Sequence, residues 1–260
     1  MLQSDLSPKP HSLLIVTDLD GTLLDHHDYD YSAVLPVIAR LKKARIPLVA
    51  NTSKTRHEWL AMRSSFLNMD AFVIENGSVA YFPDGSNKVY GSAQRDILKV
   101  LAELRLEYQF RGFGELGVPG IIEQTGLKTN EAEQAAAREF SEPLLWEDSA
   151  DNEALFCAEI AKRGFQTLKG GRFLHVQGKT DKGSALPALR AFYKADTIIA
   201  LGDSPNDLAM IEQADIGVLI SSPTNLGLDA PNSKRLIRTN QQGPKGWAET
   251  MTQLLDEHSL

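Results

Sequence analysis

Apolar residues along this chain come in short solid runs and in helical stripes, and the two kinds of block alternate. Leu13-Leu14-Ile15-Val16-Thr17 is too short a run for a helix and predicts a buried strand. Val34, Leu35, Ile38 and Leu41 then recur at helical spacing, predicting a helix over 32–44 with Ser32 as its N-cap. Solid runs return at 46–52 and 71–74, each predicting another buried strand. Strand, helix and strand at this spacing argue for βαβ units on a parallel sheet. The same style resumes late in the chain. It predicts a helix over 181–193, a strand over 197–201, a helix over 205–213, a strand over 215–220 and a last helix from about Trp247 to Leu255.

The middle differs. Pro83-Asp84-Gly85 predicts the turn of a hairpin over 79–90. Helices are predicted over 92–106, from Asn130 with Glu133 completing a capping box, and over 152–163. Strands over 165–168 and 172–177 follow, joined by Lys169-Gly170-Gly171. The expected fold class is therefore α/β: a Rossmann-like parallel-sheet core over 1–85 and 179–260, with an inserted α+β domain over 86–178. No internal repeat or low-complexity tract interrupts this plan.

Charge narrows the function. With 27 Lys and Arg against 34 Asp and Glu, the net charge is −7, which argues against a broad nucleic-acid surface. A local basic pocket for a small anion remains compatible with it. Cys157 is the single cysteine, so no intrachain disulfide can form. Among Leu155, Phe156, Ala158 and Ile160 it reads as a small buried hydrophobe of a helix core. The N-terminal MLQSDLSPKP has no apolar segment of a signal peptide, and no apolar run is long enough to span a bilayer. The expectation is a cytoplasmic protein acting on a small molecule, without nucleic acid, membrane or an obligatory protein partner.

Four polar clusters each follow a predicted strand. Asp18-Leu19-Asp20-Gly21-Thr22 places two carboxylates at the C-terminal end of a parallel strand, where open α/β sheets bind ligands. Crowded carboxylates repel, and a hard cation such as Mg²⁺ relieves that cost. One carboxylate can then attack phosphorus while the other moves protons. Alone, the motif fits a solvated Asp-rich turn equally well. Leu201-Gly202-Asp203-Ser204-Pro205-Asn206-Asp207 offers Asp203 as a metal ligand, with Asn206 and Asp207 either ligating or positioning waters. It also fits a helix start, with Ser204 or Asp203 as N-cap and Pro205 at the first helical position. Asn51-Thr52-Ser53-Lys54 offers a hydroxyl and backbone N–H groups as a phosphate cradle, or ordinary helix capping. Gly178-Lys179-Thr180-Asp181-Lys182-Gly183 offers a lysine to neutralise phosphoryl charge, or a solvated lysine before a helix.

Taken together, the order acid pair, hydroxyl, lysine, acid cluster resembles the four motifs of the haloacid dehalogenase-like superfamily over most of the chain. The resemblance implies a Mg²⁺-dependent phosphatase with Asp18 as nucleophile and Asp20 as general acid and base. Thr52 would bind the phosphoryl group, and Lys182, ahead of Lys179, would be the charge-neutralising lysine. Asp203 and Asp207 would hold Mg²⁺ with Asp18 and the backbone carbonyl of Asp20. An insertion between the hydroxyl and lysine motifs, preceded by Glu75-Asn76-Gly77, resembles a C2-type cap, which usually admits small molecules.

Further words in the cap resemble the mannosyl-3-phosphoglycerate phosphatases and their close relatives: Glu123-Gln124-Thr125-Gly126-Leu127, Arg138-Glu139-Phe140-Ser141-Glu142-Pro143 and Gly170-Gly171-Arg172-Phe173-Leu174-His175, with Thr52-Ser53-Lys54-Thr55 in the core. A substrate with phosphate, carboxylate and sugar needs a cationic clamp and hydroxyl readers. Arg172 or Arg138 would grip the carboxylate through two N–H bonds. Glu139, Glu142 or His175 would read sugar hydroxyls, and Ser53, Lys54 and Asn206 complete the expected substrate contacts. Arg138 and Glu142 fit a structural ion pair about as well, and His175 a core histidine. Trp59, Trp146 and Trp247 read as packing, and His26 and His27 as a solvated loop. Two other activities share these motifs: a phosphohexomutase, and a non-enzymatic phospho-acceptor module, against which the insertion and Asp20 argue.

Overall fold

The computed structural model describes residues 13–63, 69, 71–170, 172–225 and 232–258. The N-terminal MLQSDLSPKP and Gly171, both used above, lie outside the described residues. In chain order the elements begin β1 (Leu13–Thr17), α1 (Leu35–Ala44), β2 (Leu48–Asn51), α2 (Arg56–Arg63), β3 (Phe72–Ile74), β4 (Val79–Tyr81) and β5 (Asn87–Val89). They continue with α3 (Gln94–Leu104), β6 (Phe110–Gly112), α4 (Phe113–Thr125), α5 (Thr129–Ala136), β7 (Ser141–Trp146), α6 (Ala150–Lys162), β8 (Phe165–Gly170) and β9 (Phe173–Gly178). The chain closes with α7 (Leu186–Tyr193), β10 (Thr197–Gly202), α8 (Leu208–Gln213), β11 (Ile216–Ser221), β12 (Leu236–Gln242) and α9 (Gly243–Glu257).

The chain divides into two compact units, one of Met1–Thr52, Met69–Phe72 and Lys182–Leu260, the other of Ser53–Asn68 and Val73–Asp181. The second unit thus takes in α2 and β4, both ahead of residue 86. In the first unit the strands run parallel in the order β12-β11-β10-β1-β2. β1 and β10 are its centre, and Leu13, Leu14, Ile15 and Val16 are buried along with Ile198, Ile199, Ala200 and Leu201. Burial on both faces is why these strands are unbroken apolar runs. It also sends the chain out at the C-terminal ends of β1, β2, β10 and β11, where the polar clusters sit.

In the second unit an antiparallel sheet runs β6-β7-β9-β8. One face carries Leu144, Leu174 and Val176 against Ile97, Leu101, Phe156 and Ile160 of α3 and α6. Phe173 points to the other face and packs with Phe113, Leu116 and Ala132 of α4 and α5. The fold is α/β with a mainly parallel central sheet, as the pattern predicts.

Local differences have physical causes. Ser32 does not cap α1; residues Ser32–Val34 form a 3-10 turn and the Ser32 hydroxyl bonds Asp30 Oδ2 at 2.7 Å. The box of α5 uses Glu131 rather than Glu133, its carboxylate accepting the Lys128 N–H at 2.9 Å. Helix α7 begins five residues later than 181, because 182–185 form a turn that carries Lys182. Helix α9 begins four residues before Trp247, with Pro244 in its first turn. Cys157 is only partly buried and Leu155 is exposed, so that stretch of α6 is the rim of the core.

Candidate active site

Three loops of the first unit converge. Beyond β1 the chain makes a tight loop, in which Leu24 N–H bonds Leu19 O at 2.8 Å and Gly21 N–H bonds Leu24 O at 2.9 Å. Gly21 has φ +79°, and a Cβ there would lie 2.7 Å from Asp203 Oδ2. Only glycine permits both that backbone and that approach. Thr22 Oγ1 donates to Asp203 Oδ1 at 3.0 Å, tying the first loop to the one after β10. In that loop Asp207 Oδ2 accepts the N–H groups of Asp203 and Ser204, each at 3.0 Å, with Ser204 as N-cap and Pro205 following. The helix-start reading of that motif holds, and the two oxygens of Asp207 divide the work. Its Oδ1 faces Lys182.

Lys182 is the centre of the arrangement. Its side chain is 1% exposed, and Nζ lies 2.6 Å from Asp18 Oδ1 and 2.6 Å from Asp207 Oδ1. Burial alone would lower the ammonium's pKa, but Asp18 and Asp207 together hold it well above the usual lysine range. Burial pushes the Asp18 carboxyl up, with Asp207, Asp203 and Asp20 adding to the rise and Lys182 opposing it. Asp203 is pushed up to about 6 by burial and by Asp207. One ammonium does not balance this many carboxylates.

Asp18, Asp203 and Asp207 each bring an oxygen within 4.8 Å of the others. An all-oxygen, crowded, under-neutralised set suits a hard divalent cation such as Mg²⁺. Thr52 is buried in the same unit, and Asp20 is half-buried. Asn206 is half-buried, its side-chain oxygen engaged by the Ser204 hydroxyl.

Two further residues hold these groups without having been anticipated. Asn51 Nδ2 donates to Lys182 O at 2.6 Å, and Asn225 Nδ2 donates to Asp203 O at 2.9 Å and to Ile220 O at 2.6 Å. Asn51 adjoins a hydroxyl motif and was visible as part of it. Asn225 follows β11 in a 3-10 turn with no pattern to mark it.

Apart from Asn206, the residues expected to contact a sugar acid lie in the second unit, with Glu142 and His175 on opposite faces of its antiparallel sheet. Glu142 alternates with Leu144 and shares its face, where it is buried and accepts from Gln94 Nε2 at 2.7 Å and Gly114 N–H at 3.2 Å. That is the placement of a strut for the start of α4. Burial raises its carboxyl. His175 stands on the opposite face with Phe173 and Gln177. Its Nδ1 is enclosed without a hydrogen-bond partner, and burial, then the Arg138 charge, push it down to about 3.

Arg138 spends its donors on the protein. They go to Ser53 O at 2.8 Å and Ala135 O at 3.1 Å, with Glu58 at 3.9 Å. Ser53 and Lys54 are half-buried, and Lys54 O accepts the Glu75 N–H at 3.0 Å. Arg172 and Glu139 are exposed. Sequence reasoning gave Glu75 only a turn. Its buried carboxylate in fact accepts the Glu139 and Phe140 N–H groups at 2.9 and 3.1 Å and the Ser141 hydroxyl at 2.5 Å.

Comparison with known proteins decides the family. A model of the haloacid dehalogenase-like hydrolases matches residues 15–162 and 154–226. The chain belongs to that family. This haloacid dehalogenase-like hydrolase is similar to a glucosyl-3-phosphoglycerate/mannosyl-3-phosphoglycerate phosphatase of Persephonella marina, at 35% identity over 266 residues, covering 94% of this chain and 98% of that protein. A phosphatase of the same name from Methanococcoides burtonii is 34% identical over 272 residues, covering 95% and 98%.

Among solved structures, a sucrose-phosphatase of Synechocystis determined with sucrose and phosphate superposes with a TM-score of 0.69 at 17% identity, covering 94% of this chain and 98% of that one. A Thermoplasma acidophilum protein gives 0.67 at 20% identity, covering 95% and 97%. These two likenesses establish the fold. The enzyme is a phosphatase, a phosphoric monoester hydrolase. Among the described residues no helix is long and apolar enough to cross a membrane.

Proposed function

We propose that this enzyme hydrolyses a glycosyl-3-phosphoglycerate, most specifically mannosyl-3-phosphoglycerate, to phosphate and the glycosylglycerate, by way of a phosphoaspartate on Asp18. The observation that carries the reading is Lys182 lodged between Asp18 and Asp207, with Asp203 within carboxylate reach. The identity of the Persephonella and Methanococcoides phosphatases over nearly the whole chain supports the substrate.

Asp18 Oδ attacks phosphorus in line while Asp20 protonates the leaving alkoxide. Asp20 then takes a proton from a water, which attacks the phosphoaspartate and releases phosphate. Lys182 opposes the rise that burial imposes on the Asp18 carboxyl, orients it, and meets charge gathered on the phosphoryl oxygens. Thr52 contributes its hydroxyl to the same group. Mg²⁺ held by Asp18, Asp203, Asp207 and the Asp20 carbonyl would supply charge neutralisation of the phosphoryl oxygens. Of the cap residues, exposed Arg172 is the best placed to meet a carboxylate from solution, and His175 is kept as a neutral reader of hydroxyls.

Phosphate release with Mg²⁺ tests this on mannosyl-3-phosphoglycerate, glucosyl-3-phosphoglycerate, 3-phosphoglycerate and hexose phosphates, with EDTA controls. A strong Mg²⁺-dependent preference for a glycosyl-3-phosphoglycerate is expected. Turnover of generic esters alone would end the substrate reading. Interconversion of hexose 1- and 6-phosphates without release would replace it with a mutase.

A further inference from the structure

A chain of buried donors ends on the peptide of Asp18. Trp247 Nε1–H donates to Thr17 Oγ1 at 3.0 Å, and the Thr17 hydroxyl donates to the Asp18 carbonyl oxygen at 2.8 Å. Trp247 and Thr17 are both fully buried. An indole N–H is donor only, and a hydroxyl has one proton. By filling a lone pair of the Thr17 oxygen, Trp247 leaves the hydroxyl proton committed to Asp18. The Asp18 N–H is already bound to Leu201 O at 2.9 Å, so both ends of this residue's backbone are held.

The start of α9 is built for the purpose. At Gly246 a Cβ would collide with Gln241 O and lie 2.8 Å from Thr239 Oγ1, so the helix seats closer than any side chain allows. Gly243, which opens α9, has φ +51°, a backbone that favours glycine.

We propose that Trp247 is a positioning residue for phosphoryl transfer, acting through Thr17 to fix the Asp18 peptide and hence the angle of its carboxylate. The inference rests on Asp18 being the nucleophile. In-line attack demands placement within fractions of an ångström, so a loosened peptide costs rate before it costs binding.

Trp247→Phe keeps an aromatic ring and removes the N–H. Thr17→Val keeps the shape and removes the hydroxyl, and Thr17→Ser keeps the hydroxyl. Trp247→Phe and Thr17→Val should each lower kcat on the order of 10-fold with KM nearly unchanged. Thr17→Ser should restore kcat, and the double variant should be no slower than Thr17→Val, because the two residues act as one chain. In the metal-free protein the indole N–H resonance missing from Trp247→Phe should shift in Thr17→Val and return in Thr17→Ser.

Wild-type kcat in both Trp247→Phe and Thr17→Val, with only Tm lowered, would overturn the inference and leave a packing role. If Trp247→Phe fails to fold, Thr17→Val and Thr17→Ser carry the same test. Asp18→Asn is measured alongside. Turnover there removes the nucleophile reading itself, whereas an inactive Asp18→Asn beside fully active Trp247→Phe and Thr17→Val removes only the role of Trp247.

Discussion

The Lys182 ammonium donates to Asp18 Oδ1 at 2.6 Å, with both side chains buried. The same Nζ reaches Asp207, so a single cation holds two acids that would otherwise repel across the site. Breaking a buried pair by removing one partner leaves the other charge uncompensated, which typically costs about 3–5 kcal/mol. Lys182→Met, similar in length and apolar, should therefore lower stability by several kcal/mol and kcat by roughly 10²–10³-fold. Denaturant titration and steady-state kinetics on the same preparation check both. A variant as stable and active as the wild type would show the pair to be inessential.

The acid cluster predicts a crossing in thermal stability. Without metal, Asp203 is a buried carboxylate beside Asp207, so Asp203→Asn removes repulsion and should raise Tm. With Mg²⁺ in excess, the wild type gains the binding free energy, about 2.7 kcal/mol at 100 times Kd. For a chain of this size that is a rise of several degrees. Asp203→Asn should gain far less, so the order of the two proteins reverses. Thermal scans with EDTA and with Mg²⁺ decide it, and parallel rises in both proteins would place the ion elsewhere.

What could be read in advance follows from burial. β1 and β10 are enclosed on both faces, so they stand out as apolar runs, and Asp18 and Asp203 follow them directly. β7 was invisible because it opens Ser141-Glu142-Pro143, polar and proline-bearing, and pairs with β9 only through its tertiary setting. β12 is a sheet edge with a largely exposed Arg-Thr-Asn-Gln-Gln sequence, which reads as loop. The choice of Lys182 over Lys179 rests on the Lys-Gly pair at 182–183 followed by Ala185-Leu186, since neither lysine announces its burial. The link from Trp247 to Thr17 spans 230 residues, and the grip of Glu75 on Ser141 spans 66. Neither has a local signature.

Glu75 predicts a structural dependence within the second unit. Its backbone has φ +46° and that of Asn76 has φ +55°, a conformation that costs energy in both. Three donors of the 139–141 segment repay it. Glu75→Ala would remove the acceptor of all three, of which the buried Ser141 hydroxyl is the costliest to leave unsatisfied, at about 1–3 kcal/mol. A loss of roughly 2–3 kcal/mol in denaturant unfolding is expected. Ser141→Ala, which removes one donor with its bond, should cost about 1 kcal/mol. Equal small losses in the two variants would mean that water replaces the carboxylate.

His175 gives the second unit an acid limit. The residue is half-buried with its Nδ1 enclosed, and burial, then the positive charge of Arg138, push its pKa in the folded protein down to about 3. In the unfolded chain it takes a proton near its ordinary value of 6.5. Between those two values the unfolded state binds the extra proton, so acid favours unfolding and stability rises with pH across the window. Each pH unit inside the window is worth about 1.4 kcal/mol, or roughly 2 kcal/mol by pH 5. His175→Gln cannot titrate and should lose less stability than the wild type between pH 7 and pH 5. The two curves should run parallel above pH 7.5, where neither state is protonated at this site. Unfolding free energies measured across pH 5–8 in EDTA isolate the difference from any metal effect. Parallel curves through the whole range would mean that water reaches the ring and that the histidine titrates normally.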